Sequence, residues 1–271
     1  MLGKLIKYEM KATARIFWMI YALVLIFALL TRISAIGDLA SINEGGWLRV
    51  LIFTIFISLY VLMLIAMYAA TTIIVVTRFY SNMFTSEGYL MFTLPAKPWQ
   101  LLLSKVLTTA VWVVANLVVT MVSVLIMLSH REIWDAFLTG WREVMPAIQE
   151  SGVNVAPFVL EFAILMLIGT VTYALPMYAC ICVGQLWGKH RVLGAFLAYV
   201  GLNVISQVIG GVVSAILQVS TQHASYALQT PSEVMTFLHG TFIVSIVMSL
   251  VFGAVYFLVC SHIMDKKLNL E

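Results

Sequence analysis

The sequence predicts an all-α polytopic membrane protein with six transmembrane helices, an N-terminal amphipathic surface helix and both termini in the cytoplasm. Three observations carry that expectation. Hydrophobic residues fill 62% of the 271 positions and charged residues only 10%, whereas a soluble domain runs to about a quarter charged and has the polar surface to wrap its core. The apolar residues fall in continuous runs, not in the period-two alternation of barrel strands. Six of these runs reach the roughly 20 residues that a helix needs to cross a hydrocarbon layer of about 30 Å. Three cysteines are too few for a disulfide framework. A dispersed formal net charge of +3 argues against a nucleic-acid partner.

Taken in order, residues 1–15 place Leu2, Ile6 and Met10 at i, i+4 and i+8, with Lys4, Lys7 and Lys11 on other faces. A basic amphipathic stretch of this kind lies along the inner membrane surface, in contact with lipid. The spans are expected at 16–36, 50–77, 106–128, 157–184, 192–218 and 235–262. The second and fifth exceed the minimum length and imply tilt or extension beyond the bilayer. Within 129–155, Ile133, Trp134, Phe137, Leu138, Trp141, Met145 and Ile148 recur at helical spacing, with Arg131, Glu132, Asp135, Arg142 and Glu143 on other faces. This predicts one amphipathic helix at the outer surface. In 219–240, Thr230-Pro231-Ser232-Glu233 joins a capping-box pattern to a proline at the first helical position. Gly240 is expected to break the helix that follows, leaving short outer helices. The 271 residues form one transmembrane domain.

Orientation follows from lysine and arginine. One side holds Lys4, Lys7, Lys11, Arg15, Arg78, Lys97, Lys105, Lys189, Arg191, Lys266 and Lys267, eleven of the fifteen basic residues. The other side holds Arg32, Arg49, Arg131 and Arg142, together with eight of the twelve acids. The first side is cytoplasmic by the positive-inside rule.

Motifs for chemistry are missing. The segment Gly184-Gln-Leu-Trp-Gly188-Lys189-His190 falls one residue short of a phosphate-binding loop and lacks the hydroxyl that holds magnesium. No two histidines stand at metal-ligand spacing. Cys180 and Cys182 lie about 200° apart around a helix, and with Cys260 they read as small apolar core residues. Glu161 is the only acid inside a span; near its outer end, it is expected to snorkel to the surface. No catalytic or metal-binding residue is assigned, and the chain is not expected to be an enzyme.

The most informative stretch is the cytoplasmic connection 78–105. Phe79, Tyr80, Phe84, Tyr89, Leu90, Phe92 and Leu94 crowd a segment that a solvated loop would not make so apolar. An exposed patch of this kind marks an interaction surface. Pro95 stops the preceding helix and Pro98 suits the first turn of the next.

Glu87-Gly88-Tyr89-Leu90, then Thr93-Leu94-Pro95 and Leu101-Leu102-Leu103-Ser104-Lys105, resemble the loop of ABC type-2 exporter permeases of the type V exporter fold. That pattern runs acid, Gly, a Leu-containing run, Thr and Pro, then Leu-Leu-Gly-Lys entering the next span. Here one extra residue separates Thr93 from Pro95, and Ser104 stands where Gly is usual. The six-span plan, the N-terminal basic helix and the lack of a nucleotide site are similar to that family's transmembrane subunit over the whole chain. The resemblance implies a short coupling helix formed by Glu87, Gly88, Tyr89, Leu90, Met91, Phe92 and Leu94 that docks on a separate ATPase subunit. No cofactor is implied on this chain, and ATP and Mg belong to that partner.

Span five carries Asn203, Gln207, Gly210, Gly211, Ser214 and Gln218 around one face. Such a stripe cannot face lipid cheaply, so it packs on a helix or lines a path. In the resembling family the fifth span serves both the translocation cleft and the dimer seam, and the two roles stay open here. Thr54, Ser58 and Asn116 share the same two readings, while Ser245, Ser249 and Gly253 read as close packing. The resemblance implies an ATP-driven exporter in a bacterial plasma membrane. Two permease chains, as homodimer or sibling heterodimer, would move an apolar or amphipathic substrate such as a peptide antibiotic or a lipid-linked molecule by alternating access. The alternative is a membrane sensor or assembly protein that transports nothing and binds a cytosolic signalling partner through the loop.

Overall fold

The computed structural model describes residues 2–34, 47–86, 88, 91, 93, 97–129, 131–150, 154–187, 190–225 and 231–266. Its regular elements there are all helices: α1 Leu2–Ser34, α2 Trp47–Phe84, α3 Pro98–Leu128, α4 Arg131–Glu150, α5 Ala156–Thr172, α6 Leu175–Gly184, α7 Arg191–Ser225 and α8 Pro231–Lys266. Six stretches are long and apolar enough to cross a membrane, with α5 and α6 together forming the fourth (Ala156–Gly184). The helical class and the span count agree with the sequence reading.

The element ends differ from it in informative ways. Residues 2–15 do not form a separate surface helix, because α1 runs unbroken over 33 residues, about 50 Å. No proline interrupts it, and its first turns are fastened to α2 and α3. The second span continues to Phe84, seven residues past its expected end at 77. The fourth span is broken between Thr172 and Leu175, with Pro176 in the first turn of α6. A proline there removes one amide donor and crowds the carbonyl of Thr172 four residues earlier. Gly240 does not break α8, which is continuous from Pro231. The proline start is as expected, but separate short helices within 219–240 are not seen among the described residues. In the outer connection α4 forms over Arg131–Glu150 with Trp134, Phe137 and Trp141 exposed along one face, stacked at 5.7 and 6.2 Å.

Packing concentrates at the end where the basic residues gather. There α2, α3, α6 and α8 bury Phe79, Met83, Phe84, Leu101, Leu102, Tyr178, Cys182, Cys260 and Met264 in one cluster. A second cluster joins α1, α2 and α3 through Phe17, Tyr21, Val24, Tyr60, Met67 and Trp112. Close approach at the first cluster depends on glycine. A Cβ on Gly253 would sit 2.7 Å from the Thr172 side chain, and one on Gly184 would sit 2.5 Å from the Ala195 backbone nitrogen. The reading of Gly253 as a close-packing position holds. Among the described residues α7 packs mainly on α6 and touches α8 lightly, in part through the Ser206 and Tyr256 hydroxyls 2.8 Å apart.

Candidate functional site

Three helices meet at a charged cluster beneath the connection between α2 and α3. Glu9 comes from α1, Arg78 and Asn82 from one face of α2, and Lys105 from the second turn of α3. The Lys105 ammonium pairs with Glu9 Oε1, Asn82 Nδ2 donates to the same oxygen at 3.1 Å, and Arg78 Nε stands 3.7 Å from Oε2. The Lys105 side chain is 4% exposed, that of Glu9 11% and that of Arg78 32%. A lysine so buried is tolerated only with its charge paired and hydrogen-bonded. Among the described residues, one carboxylate faces two cations there.

The cluster opens onto a narrow cleft also lined by Thr13, Phe17, Thr108, Thr109, Trp112 and Tyr178. Its hydroxyl and indole groups have partners, whereas Arg78 Nε is buried without a hydrogen bond among the described residues. Trp112 Nε1 donates to Thr13 Oγ1 at 2.9 Å, and the Tyr178 and Thr109 hydroxyls are 3.0 Å apart. Deeper between α1, α2 and α3, Tyr21 donates to Asn116 Oδ1 at 2.8 Å and Asn116 Nδ2 donates to Thr71 Oγ1 at 2.9 Å. Phe17 stacks on Trp112 at 4.2 Å, and Phe79 stacks on Tyr178 at 3.9 Å. Hydrogen bonds between apolar helices fix their register, because the alternative is an unsatisfied group in hydrocarbon.

The connection itself is described in part. Ser86, Gly88 and Met91 are helical, and the buried Gly88 donates its N–H to the Thr85 carbonyl at 2.8 Å. Met91 packs against the cluster at the basic end. Glu87, Tyr89, Leu90, Phe92 and Leu94 lie outside the described residues. The helix restarts with Pro98 in its first turn, as expected, and the Gln100 side chain accepts from the Lys97 amide at 3.2 Å.

Two of the aromatics expected to face the cytosol do not. Phe79 is 0% exposed and Phe84 7%, because α2 continues through them and turns both into the packed cluster. Tyr80 is half-buried beside Phe84. Glu161 also corrects its expectation of a surface acid. It is 7% exposed, and its Oε1 pairs with His239 Nδ1 of α8, while Oε2 is buried without a hydrogen bond among the described residues.

The remaining candidates separate into two places. Asn116 is 0% exposed and fully hydrogen-bonded within the α1–α2–α3 packing. Thr54 and Ser58 are exposed on α2, each bonded back to its own helix at 2.7 Å. On α7, Gln207, Gly211 and Ser214 are exposed, while Asn203 and Gly210 are half-buried. Nothing lies within 4 Å of a Cβ built on Gly210 or Gly211. Among the described residues the stripe therefore packs on no helix at those glycines. The side chain of Gln218 is outside those described.

Sequence reasoning missed the charged cluster, although its signal was present. Lys105, Thr109, Trp112 and Asn116 recur on one face of α3, and a lysine one turn inside an apolar helix requires a counter-charge. Six apolar helices able to cross a membrane, several of them packed together at a common basic end, define a multi-pass helical membrane protein. No family model matches the chain, and no curated protein or solved structure matches it.

Proposed function

We propose that the chain is the transmembrane subunit of an ATP-driven exporter in a bacterial plasma membrane, of the ABC type-2 permease kind. It works with separate ATPase subunits that hold ATP and Mg, and with a second permease chain. One observation carries the reading: the connection after α2 is short and is braced by two long helices whose ends are tied to α1 through Glu9. A segment mounted in this way moves only if the helices move, so displacement at the loop becomes rigid-body displacement of the spans. The loop's resemblance to a coupling helix supplies the partner.

In this mechanism ATP binding closes the ATPases, the segment from Glu87 to Leu94 follows them, and a cleft between two permease chains opens outward. The polar stripe of α7 serves that cleft or the seam beside it. Its weakly polar character suits an apolar or amphipathic cargo, such as a peptide antibiotic or a lipid-linked molecule. No step requires a catalytic residue on this chain. The double substitution Glu87→Ala with Tyr89→Ala tests the relay. Substrate-stimulated ATP hydrolysis by the reconstituted complex should fall strongly, and unchanged hydrolysis would contradict the assignment.

A further inference from the structure

At the basic end, α6 and α8 each present a cysteine to the other. Cys182 and Cys260, 78 residues apart in the sequence, place their Sγ atoms 2.6 Å from one another as free thiols. Both residues are 0% exposed and sit within the apolar cluster at the basic end. The two sulfurs are in direct contact, with no other side chain between them. Cys180 is buried as well, but it points elsewhere around α6 and makes no such contact.

We propose that Cys182 and Cys260 are a modification site: a dithiol that hydrogen peroxide oxidises to a disulfide, fastening α6 to α8. One thiol attacks the peroxide, the O–O bond breaks, and a sulfenic acid and one water result. The second thiol then displaces hydroxide from the sulfenic sulfur, the S–S bond forms, and a second water leaves with the proton. The two thiols lose two electrons and the peroxide gains them. Peroxide suits the site because it is small and uncharged, so it can enter an apolar cluster. The same cluster protects the bond once formed, since the cytosolic reductant is a charged tripeptide that must reach the sulfur. Burial slows the first step, because the thiolate is the attacking species. The second step is intramolecular between groups already in contact.

The test uses the full chain in its native membranes, exposed to hydrogen peroxide, then denatured and alkylated. Wild type should pass from three alkylated cysteines to one, with a Cys182–Cys260 linked peptide in the digest. Cys180→Ala should pass from two to none and give the same linked peptide. Cys260→Ala should give no linked peptide through an equal exposure, because the thiol that closes the bond is gone. Linkage should also raise the unfolding temperature of wild type and leave that of Cys260→Ala unchanged. Three alkylatable thiols surviving in wild type, linkage through Cys180, or oxidation to unlinked sulfinic acids would each overturn the proposal.

Discussion

Lys105 of α3 and Glu9 of α1 stand 96 residues apart in the sequence and form an ion pair in which the lysine side chain is 4% exposed. The pair closes the basic end of a three-helix unit whose middle is held by Asn116 and Trp112. Breaking a buried pair from one side typically costs about 3–5 kcal/mol, because the other charge stays behind in a poor solvent. Glu9→Gln should therefore lower the unfolding temperature in detergent markedly, and Glu9→Gln with Lys105→Met should recover part of the loss. Equal unfolding temperatures for wild type and Glu9→Gln would show that the pair holds nothing together.

Asn116 gives a neutral counterpart. Its carboxamide accepts from Tyr21 and donates to Thr71, both bonds within 2.9 Å and the residue wholly buried. Asn116→Leu leaves the Tyr21 hydroxyl without its best acceptor, at a cost of about 1–3 kcal/mol. Thermal unfolding reads that loss. Tyr21→Phe combined with Asn116→Leu should cost less than the sum of the single changes, and strict additivity would argue that the two side chains act separately.

Glycines separate packed from open helix faces. Gly184→Ala drives a methyl to within 2.5 Å of the Ala195 backbone, which no side-chain rotation relieves. Overpacking of this kind costs about 1–3 kcal/mol. Gly201→Ala meets nothing within 4 Å and should change stability by less than about 1 kcal/mol, in the stabilising direction through helix propensity. A scan of unfolding temperature across both variants compares them directly. Equal effects would mean that α6 and α7 do not approach as closely as described.

Glu161 and His239 tie α5 to α8 at the other end of the bundle. His239→Ala leaves a buried acid without its imidazole partner, so it should destabilise more than Glu161→Gln. Unfolding of the two variants at the same pH and detergent concentration decides the order. The reverse order would mean that the carboxylate is solvated and the pairing incidental.

The spans were legible because hydrocarbon imposes length and apolarity, and both are printed in the chain. Which face of each span turns inward was far less so, since lipid and protein interior are equally apolar. Phe79 and Phe84 look identical in sequence whether they face cytosol, lipid or Tyr178. Polar residues carried more information, and Asn116, Lys105 and Glu161 are all buried and paired. In the sequence alone Asn116 leaves both readings open, Lys105 reads as a basic flank and as the last residue of the loop pattern, and Glu161 reads as a surface acid. The break before Leu175 was signalled by Pro176, and the run of apolar residues around it masked the signal. The contact of Cys182 with Cys260 joins segments 78 residues apart, which local periodicity cannot report.

We propose that the segment after α2 docks on a separate ATPase subunit. Purification of the full chain from its native membranes in mild detergent, with quantification of the proteins that accompany it, tests this most directly. The account predicts a nucleotide-binding subunit at one copy per chain in wild type, lost on Glu87→Ala with Tyr89→Ala while the unfolding temperature is unchanged. A chain that purifies without any nucleotide-binding subunit, or a double variant that keeps its full complement, would contradict it.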